Sequence, residues 1–246
     1  MSPPLDSDCR LGVLAFGDSI TNGGGELQWG VALQSWALWV ARGLGLPFTG
    51  YAVDGARAPD VLREQLPAFL GSDAHPDVGY ELGCLYIGVN DVRAVDWDAR
   101  AYAESFGEAL AFLRARCDRV LSVTAPLELG RPRAGPKVGE LNATIQAIAA
   151  EHRALVLDLS GFGARNLVMA DHVHPTAFGQ LAIAERALDV LRRDGRSVRV
   201  RPSSLIRYER TRWRRLRGDW TYAYRHLKVS ARAAALVAWF RLRGVV

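Results

Sequence analysis

Cysteine is scarce: Cys9, Cys84 and Cys117 are the only three in 246 residues, and their spacing matches no metal or redox motif. A disulfide scaffold is excluded, and a reducing compartment or indifference to redox is expected. Long apolar runs are missing too. The longest in the C-terminal part, residues 233–240, falls far short of the ~20 residues a membrane-spanning helix needs. There is no internal repeat and no low-complexity tract. Residues 1–10 are polar, carry two prolines and lack a basic start followed by an apolar stretch, so no secretory signal is expected. The default expectation is a cytoplasmic protein, with peripheral membrane contact as its variant. Hydrophobic residues make up 49% and charged residues 23%, which excludes disorder or a collagen-like chain as whole-chain descriptions. The length is ample for a core without staples.

Balanced charge is also lacking. The net charge of +5 divides into +13 over residues 192–246 and −8 over residues 1–191. Such a contrast predicts two parts with separate jobs, a domain over 1–191 and an Arg-rich helical extension over 192–246.

The first part alternates. Short apolar runs at 11–16, 48–53, 81–87, 119–124 and 155–159 read as buried parallel strands. Stripes at helical spacing separate them: Trp29, Leu33, Trp36, Val40 and Leu44; then Tyr102, Phe106, Leu110 and Leu113; then Val138, Leu141, Ile145 and Ile148; then Phe178, Leu181, Leu188 and Leu191. Segment 59–70 is a weaker helix, interrupted by Pro67. Five such units imply an α/β fold, a parallel sheet covered by helices on both faces.

In such a sheet a site lies beyond the carboxyl ends of the strands. Gly17-Asp18-Ser19-Ile20-Thr21 follows the first strand and Asp54-Gly55 the second. Gly88-Val89-Asn90-Asp91 follows the third, and Asp171-His172-Val173-His174-Pro175 comes after the fifth. A serine, a glycine turn, an amide side chain and an Asp/His pair on one rim are the parts of a nucleophilic acyl-transfer site. Each has a plainer reading: Ser19 as a helix cap, Asn90 and Asp91 as a turn, Asp18 as a brace. His-x-His beside Asp171 suggests metal ligation, but no further Cys/His/Asp set accompanies it. His75, His152 and His226 have no motif context. Gly23-Gly24-Gly25 reads as a mobile loop or a flexible turn, and Trp29 as a pocket wall or core.

These four blocks, in this order over residues 11–191, resemble the SGNH (GDSL) hydrolases. The resemblance implies a flavodoxin-like three-layer α/β/α sandwich with a five-stranded parallel sheet in the order 2-1-3-4-5. It implies an acyl-ester hydrolase with a small-molecule or lipid ester as substrate. Ser19 would be the nucleophile, His174 the general base and Asp171 its orienting partner. The oxyanion hole would comprise the Ser19 N–H, the Gly55 N–H and the Asn90 amide. No metal and no organic cofactor is implied. Val53 and Ala58 depart from the family's pattern around that glycine, where an asparagine and a second glycine are usual. An acyltransferase using the same site, or an inactive scaffold on this fold, are the alternatives.

In the extension, Leu205, Ile206, Tyr208, Trp213 and Leu216 lie amid Arg207, Arg210, Arg212, Arg214, Arg215 and Arg217. After this segment, 203–217, residues 219–243 read as a second helix with Trp220, Tyr224, Leu227, Ala231, Ala234, Ala238 and Leu242 on one face and Arg225, Lys228, Arg232 and Arg243 on another. Three roles stay open, in this order: docking on the acidic domain or a second copy, peripheral contact with anionic membrane, and polyanion binding. Nucleic acid ranks last because no recognised module is present.

Overall fold

The structure is a computed structural model that describes residues 10–28, 30–72, 78–164, 166–207 and 211–242. Cys9, Trp29, His75, Tyr208, Arg210 and Arg243 lie outside the described residues, as do the side chains of Arg214, Arg215, Ala238 and Leu242.

Five strands form one parallel sheet: β1 (Val13–Gly17), β2 (Phe48–Gly50), β3 (Tyr80–Tyr86), β4 (Cys117–Val123) and β5 (Leu155–Leu157). Their order is 2-1-3-4-5, with Val13 beside both Phe48 and Leu82. Every residue of β1 is buried, as a central strand covered on both faces requires. One helical layer holds α2 (Trp36–Leu44) and α8 (Ala177–Arg193), which pack together. The other holds α3 (Ala58–Asp60), α4 (Leu66–Leu70), α6 (Ala99–Arg116) and α7 (Lys137–Glu151). Two short helices begin at strand ends, α1 (Ser19–Asn22) and α5 (Val89–Arg93). Edge-on contacts of Phe69 with Phe16, Tyr51 and Phe112, at centroid separations of 6.1, 5.6 and 5.8 Å, knit the second layer to the sheet. Buried Trp36 meets Tyr86 in the first.

Several elements depart from the sequence expectation. The stripe from Trp29 to Leu44 does not form one helix; Ser35 caps α2 by accepting the Ala37 N–H at 3.2 Å, so the helix starts at Trp36. Strand β2 ends at Gly50, and beyond it the Tyr51 and Val53 N–H groups still donate to the Ala15 and Gly17 carbonyls at 2.9 and 3.1 Å, in the same register. Segment 58–70 is not broken at Pro67. It runs through α3, a π turn over Val61–Gln65 and α4, with Pro67 directly after the π turn. Beyond α8, a 3₁₀ turn (Pro202–Leu205) precedes one long helix, α9 (Arg212–Leu242), rather than two segments meeting near residue 218. Among the described residues no helix is long and apolar enough to cross a membrane.

Residues 196–206 are not a loose linker. The Arg199 and Val200 N–H groups donate to the Gly43 carbonyl at 2.9 and 3.1 Å. Arg201 bridges Glu185 and Asp189 at 2.9 and 2.7 Å, and Pro202 is buried.

Candidate active site

Ser19 opens α1, directly after β1. Asp18 is the cap: its Oδ1 accepts the Ile20 N–H at 2.9 Å, and its side chain is fully buried. Ser19 Oγ lies 2.9 Å from His174 Nε2, and His174 Nδ1 lies 2.7 Å from Asp171 Oδ2. Asp171 Oδ1 also accepts the Val173 and His174 N–H groups at 2.9 and 3.1 Å, which fixes the loop that carries the imidazole. With the Nδ1–H donating to the carboxylate, Nε2 is left as acceptor for the serine hydroxyl. Residues 19, 171 and 174 therefore meet, from opposite ends of the sequence.

Charge follows from this geometry. The hydrogen bond it donates to Asp171 raises His174 above its ordinary 6.5, against the opposing pull of burial. Burial pushes Asp171 up, but hydrogen bonds from His174 and the Val173 N–H outweigh it and hold it below the usual carboxylate value. Asp18 is different. Burial raises it to about 7, the capping bond only partly compensating, and among the described residues its Oδ2 has no hydrogen-bond partner. Burial likewise raises Asp91 to about 6.

Gly55 sits in the turn between β2 and α3 at φ +79°, a left-handed conformation that side chains other than glycine adopt at a cost. Among the described residues, nothing lies within 4 Å of where its Cβ would be. Asn90 Nδ2 donates to the Ala56 carbonyl at 3.0 Å. Asp91 accepts the Ala58 N–H through both oxygens, at 3.0 and 3.3 Å. Asn22 Nδ2 donates to Asp54 Oδ1 at 2.9 Å. Together with the Val53-to-Gly17 bond, these contacts stitch the Gly55 loop to the turn of Ser19 and to the first turn of α5. At position 53 valine contributes its backbone N–H to that last bond. One Asn90 N–H is used on Ala56; the amide carries a second.

Two buried glutamines escaped the sequence reading. Gln65 grips both polar groups of Gly17: its Oε1 accepts the N–H at 3.0 Å and its Nε2 donates to the carbonyl at 2.7 Å. Gln180 donates to the Ile20 and Gly24 carbonyls at 2.9 and 3.0 Å and accepts the Trp36 N–H at 2.8 Å. The turn of Ser19 is thus held from both helical layers. The readable signal was a polar residue on an otherwise apolar helix face, beside Val61 and Leu66 in one case and Leu181 and Ala184 in the other. The glycine run is also held rather than loose. Gly23 caps α1, the Gly24 N–H donates to the Ser19 carbonyl at 2.6 Å, and Gly25 backs onto Pro175.

His172 takes a left-handed φ of +55°, and its Nε2 lies 3.0 Å from Arg131 Nη2. Burial, then Arg131, hold it below its ordinary value. Its ring lies 5.9 Å from that of His226, which stacks on Tyr222 of α9. Arg225 of the same helix pairs with Glu26, whose carbonyl accepts the Ala177 N–H. His226, unremarkable in the sequence, therefore lies with α9 against the rim that carries His174.

No curated protein matches the chain. Among solved structures, an acetyl xylan esterase from Geobacillus stearothermophilus is similar at 18% identity and a TM-score of 0.56, over 73% of this chain and 94% of that one. A member of the lipolytic G-D-S-L family from Veillonella parvula is similar at 23% identity and a TM-score of 0.57, over 74% and 98%. Likeness at this level speaks for the fold. The family model for the GDSL-like lipase/acylhydrolase family matches residues 15–182, more than half of the chain and every block described above. The chain belongs to the GDSL-like lipase/acylhydrolase family and is, in general terms, a hydrolase of acyl esters.

Proposed function

We propose that this hydrolase works through a covalent acyl-enzyme on Ser19. The hydroxyl attacks the ester carbonyl carbon while its proton passes to His174 Nε2. The electron pair of the carbonyl moves onto oxygen, where the Ser19 and Gly55 N–H groups and the free Asn90 N–H stabilise it. Collapse of the tetrahedral intermediate expels the alcohol, which takes the proton from His174. Water then repeats the sequence on the acyl-enzyme, and the acid leaves. The oxyanion donors matter because their partner is fully charged only in the transition state; one such donor typically contributes ~10²–10³ in rate.

The single observation that carries this reading is the relay Ser19 Oγ to His174 Nε2 at 2.9 Å and His174 Nδ1 to Asp171 Oδ2 at 2.7 Å. Asp171 orients the ring and stabilises the imidazolium that forms. Its lowered value keeps it ionised throughout the catalytic range, as that role requires.

The test is Ser19→Ala assayed on a short-chain chromogenic ester. Turnover should fall about 10⁴-fold or more, with an unchanged unfolding midpoint. Labelling by a fluorophosphonate probe should map to Ser19 and vanish in the variant. Turnover or labelling that survives the substitution would assign the nucleophile elsewhere.

A further inference from the structure

Helix α9 has two faces with different fates. On one, Tyr222 and His226 stack toward His172, Arg225 pairs with Glu26, and Val229 is partly covered. On the other, Trp213 is 83% exposed, Trp220 76%, Tyr224 65% and Leu227 70%, with Leu216, Ala231 and Ala234 also open to solvent. At about 100° per residue these seven fall within a stripe roughly 80° wide, diametrically opposite the docked face. Packing on the catalytic body therefore does not explain the aromatic residues. The 31-residue helix is about 46 Å long, so the stripe is extended rather than a local patch.

The flanks identify the occupant. Arg217, Lys228 and Arg232 line one side of the stripe and Arg212 the other, all exposed. Asp219 is the single acidic residue in segment 212–242. The row Arg217, Lys228 and Arg232 along one edge, with Arg212 at the start of the other, meets like charge in a second copy of the same helix. Duplex RNA would contact the cations and leave the apolar centre wet, and single strands would stack on the aromatic rings but leave Leu216, Leu227 and the alanines wet. A bilayer with anionic headgroups satisfies both: tryptophan, tyrosine and leucine enter the boundary between headgroup and acyl chain, and the flanking cations meet lipid phosphates.

We propose that the exposed stripe of α9 is a docking surface for anionic lipid, on which the protein lies with α9 in the plane of the interface. Because the opposite face of α9 rests on the rim beside His172 and Glu26, the docked membrane lies about one helix diameter, 10–12 Å, from that rim.

The full-length protein is tested by co-sedimentation with phosphatidylcholine vesicles containing about one third phosphatidylglycerol, and with vesicles of phosphatidylcholine alone. Partitioning should be at least tenfold stronger on the anionic vesicles. It should fall at least tenfold in the triple variant W213S/W220S/L227S, which alters only exposed side chains. Hydrolysis of a water-soluble ester by that variant should match the wild type, which reads the active site independently of the lipid result. Absent binding, equal binding to neutral vesicles or undiminished binding by the variant would overturn the proposal. So would dimerisation or RNA binding that depends on the three residues in a protein that ignores vesicles.

Discussion

Asp171 and His174 are tuned in opposite directions by one hydrogen bond, and the two shifts act on different pH ranges. His174 is raised, so the stability it gains is present below its unfolded value of 6.5 and is lost as pH rises through its folded value. Asp171 is lowered, so its contribution is present above 3.8 and is lost as pH falls through its folded value. The ion pair is therefore strongest between about pH 4 and 6.5, whereas catalysis needs His174 neutral. The acid limb of kcat/KM should lie above pH 6.5. In Asp171→Asn it should move to lower pH while kcat drops by about 10²–10⁴, because the amide no longer favours the imidazolium. A pH–rate profile of both proteins checks this; an unmoved limb would detach Asp171 from the titration. Asp18 has the opposite sign from Asp171. Between 3.8 and about 7 the folded chain keeps a proton that the unfolded chain has released, so this group's contribution to stability falls as pH rises through that window. Asp18→Asn retains an acceptor for the Ile20 N–H and cannot titrate. The loss in urea midpoint between pH 5 and pH 8 should shrink in that variant.

Among the elements, the π turn between α3 and α4 has the clearest consequence. It directs Gln65 inward so that one side chain satisfies both polar groups of Gly17, two residues ahead of the nucleophile. Gly17 is buried at the end of β1, where neither group has water as a substitute. Gln65→Leu leaves the Gly17 N–H unpaired and the carbonyl with the Val53 N–H alone, and should destabilise the fold by roughly 1–3 kcal/mol. It should also lower kcat at least tenfold with KM little changed, because a turn displaced by under an ångström misaims Ser19 rather than the binding surface. Denaturant unfolding and steady-state kinetics measure the two effects. A stable, fully active variant would show that Gly17 needs no such grip.

For the whole molecule, the charge division at residue 191 and the packing do not coincide. Residues 196–206 close over α2 and α8 through Arg199, Val200, Arg201 and Pro202. We propose that the catalytic unit extends through residue 206 and that the extension proper is α9. A chain ending at residue 207 should keep hydrolysis of soluble esters. One ending at residue 191 exposes the Gly43 carbonyl and the surface under Val198 and Ile206, and should melt about 5–10 °C lower. Equal melting of the two chains would return the division to residue 191.

Much of this was legible in the order of residues. A buried parallel strand must be a short apolar run, and a reactive residue at its carboxyl end must follow it directly; hence Ser19, Gly55, Asn90 and the Asp171–His174 pair could be named from spacing and from resemblance. Helix stripes were legible for the same reason, since burial on one face imposes a period. Contacts between distant segments were not. A glutamine on an apolar face signals burial but not its partner, so Gln65 and Gln180 acquired meaning only when the sheet brought the π turn and α8 beside the end of β1. An arginine-rich helix reads the same whether it is free or docked. The sequence by itself determined the alternating architecture and the chemical groups on its rim, because periodicity and local adjacency are one-dimensional properties. Only the tertiary structure decided which backbone groups need a partner and which face of α9 is left open, because burial and exposure belong to the surfaces that long-range packing creates.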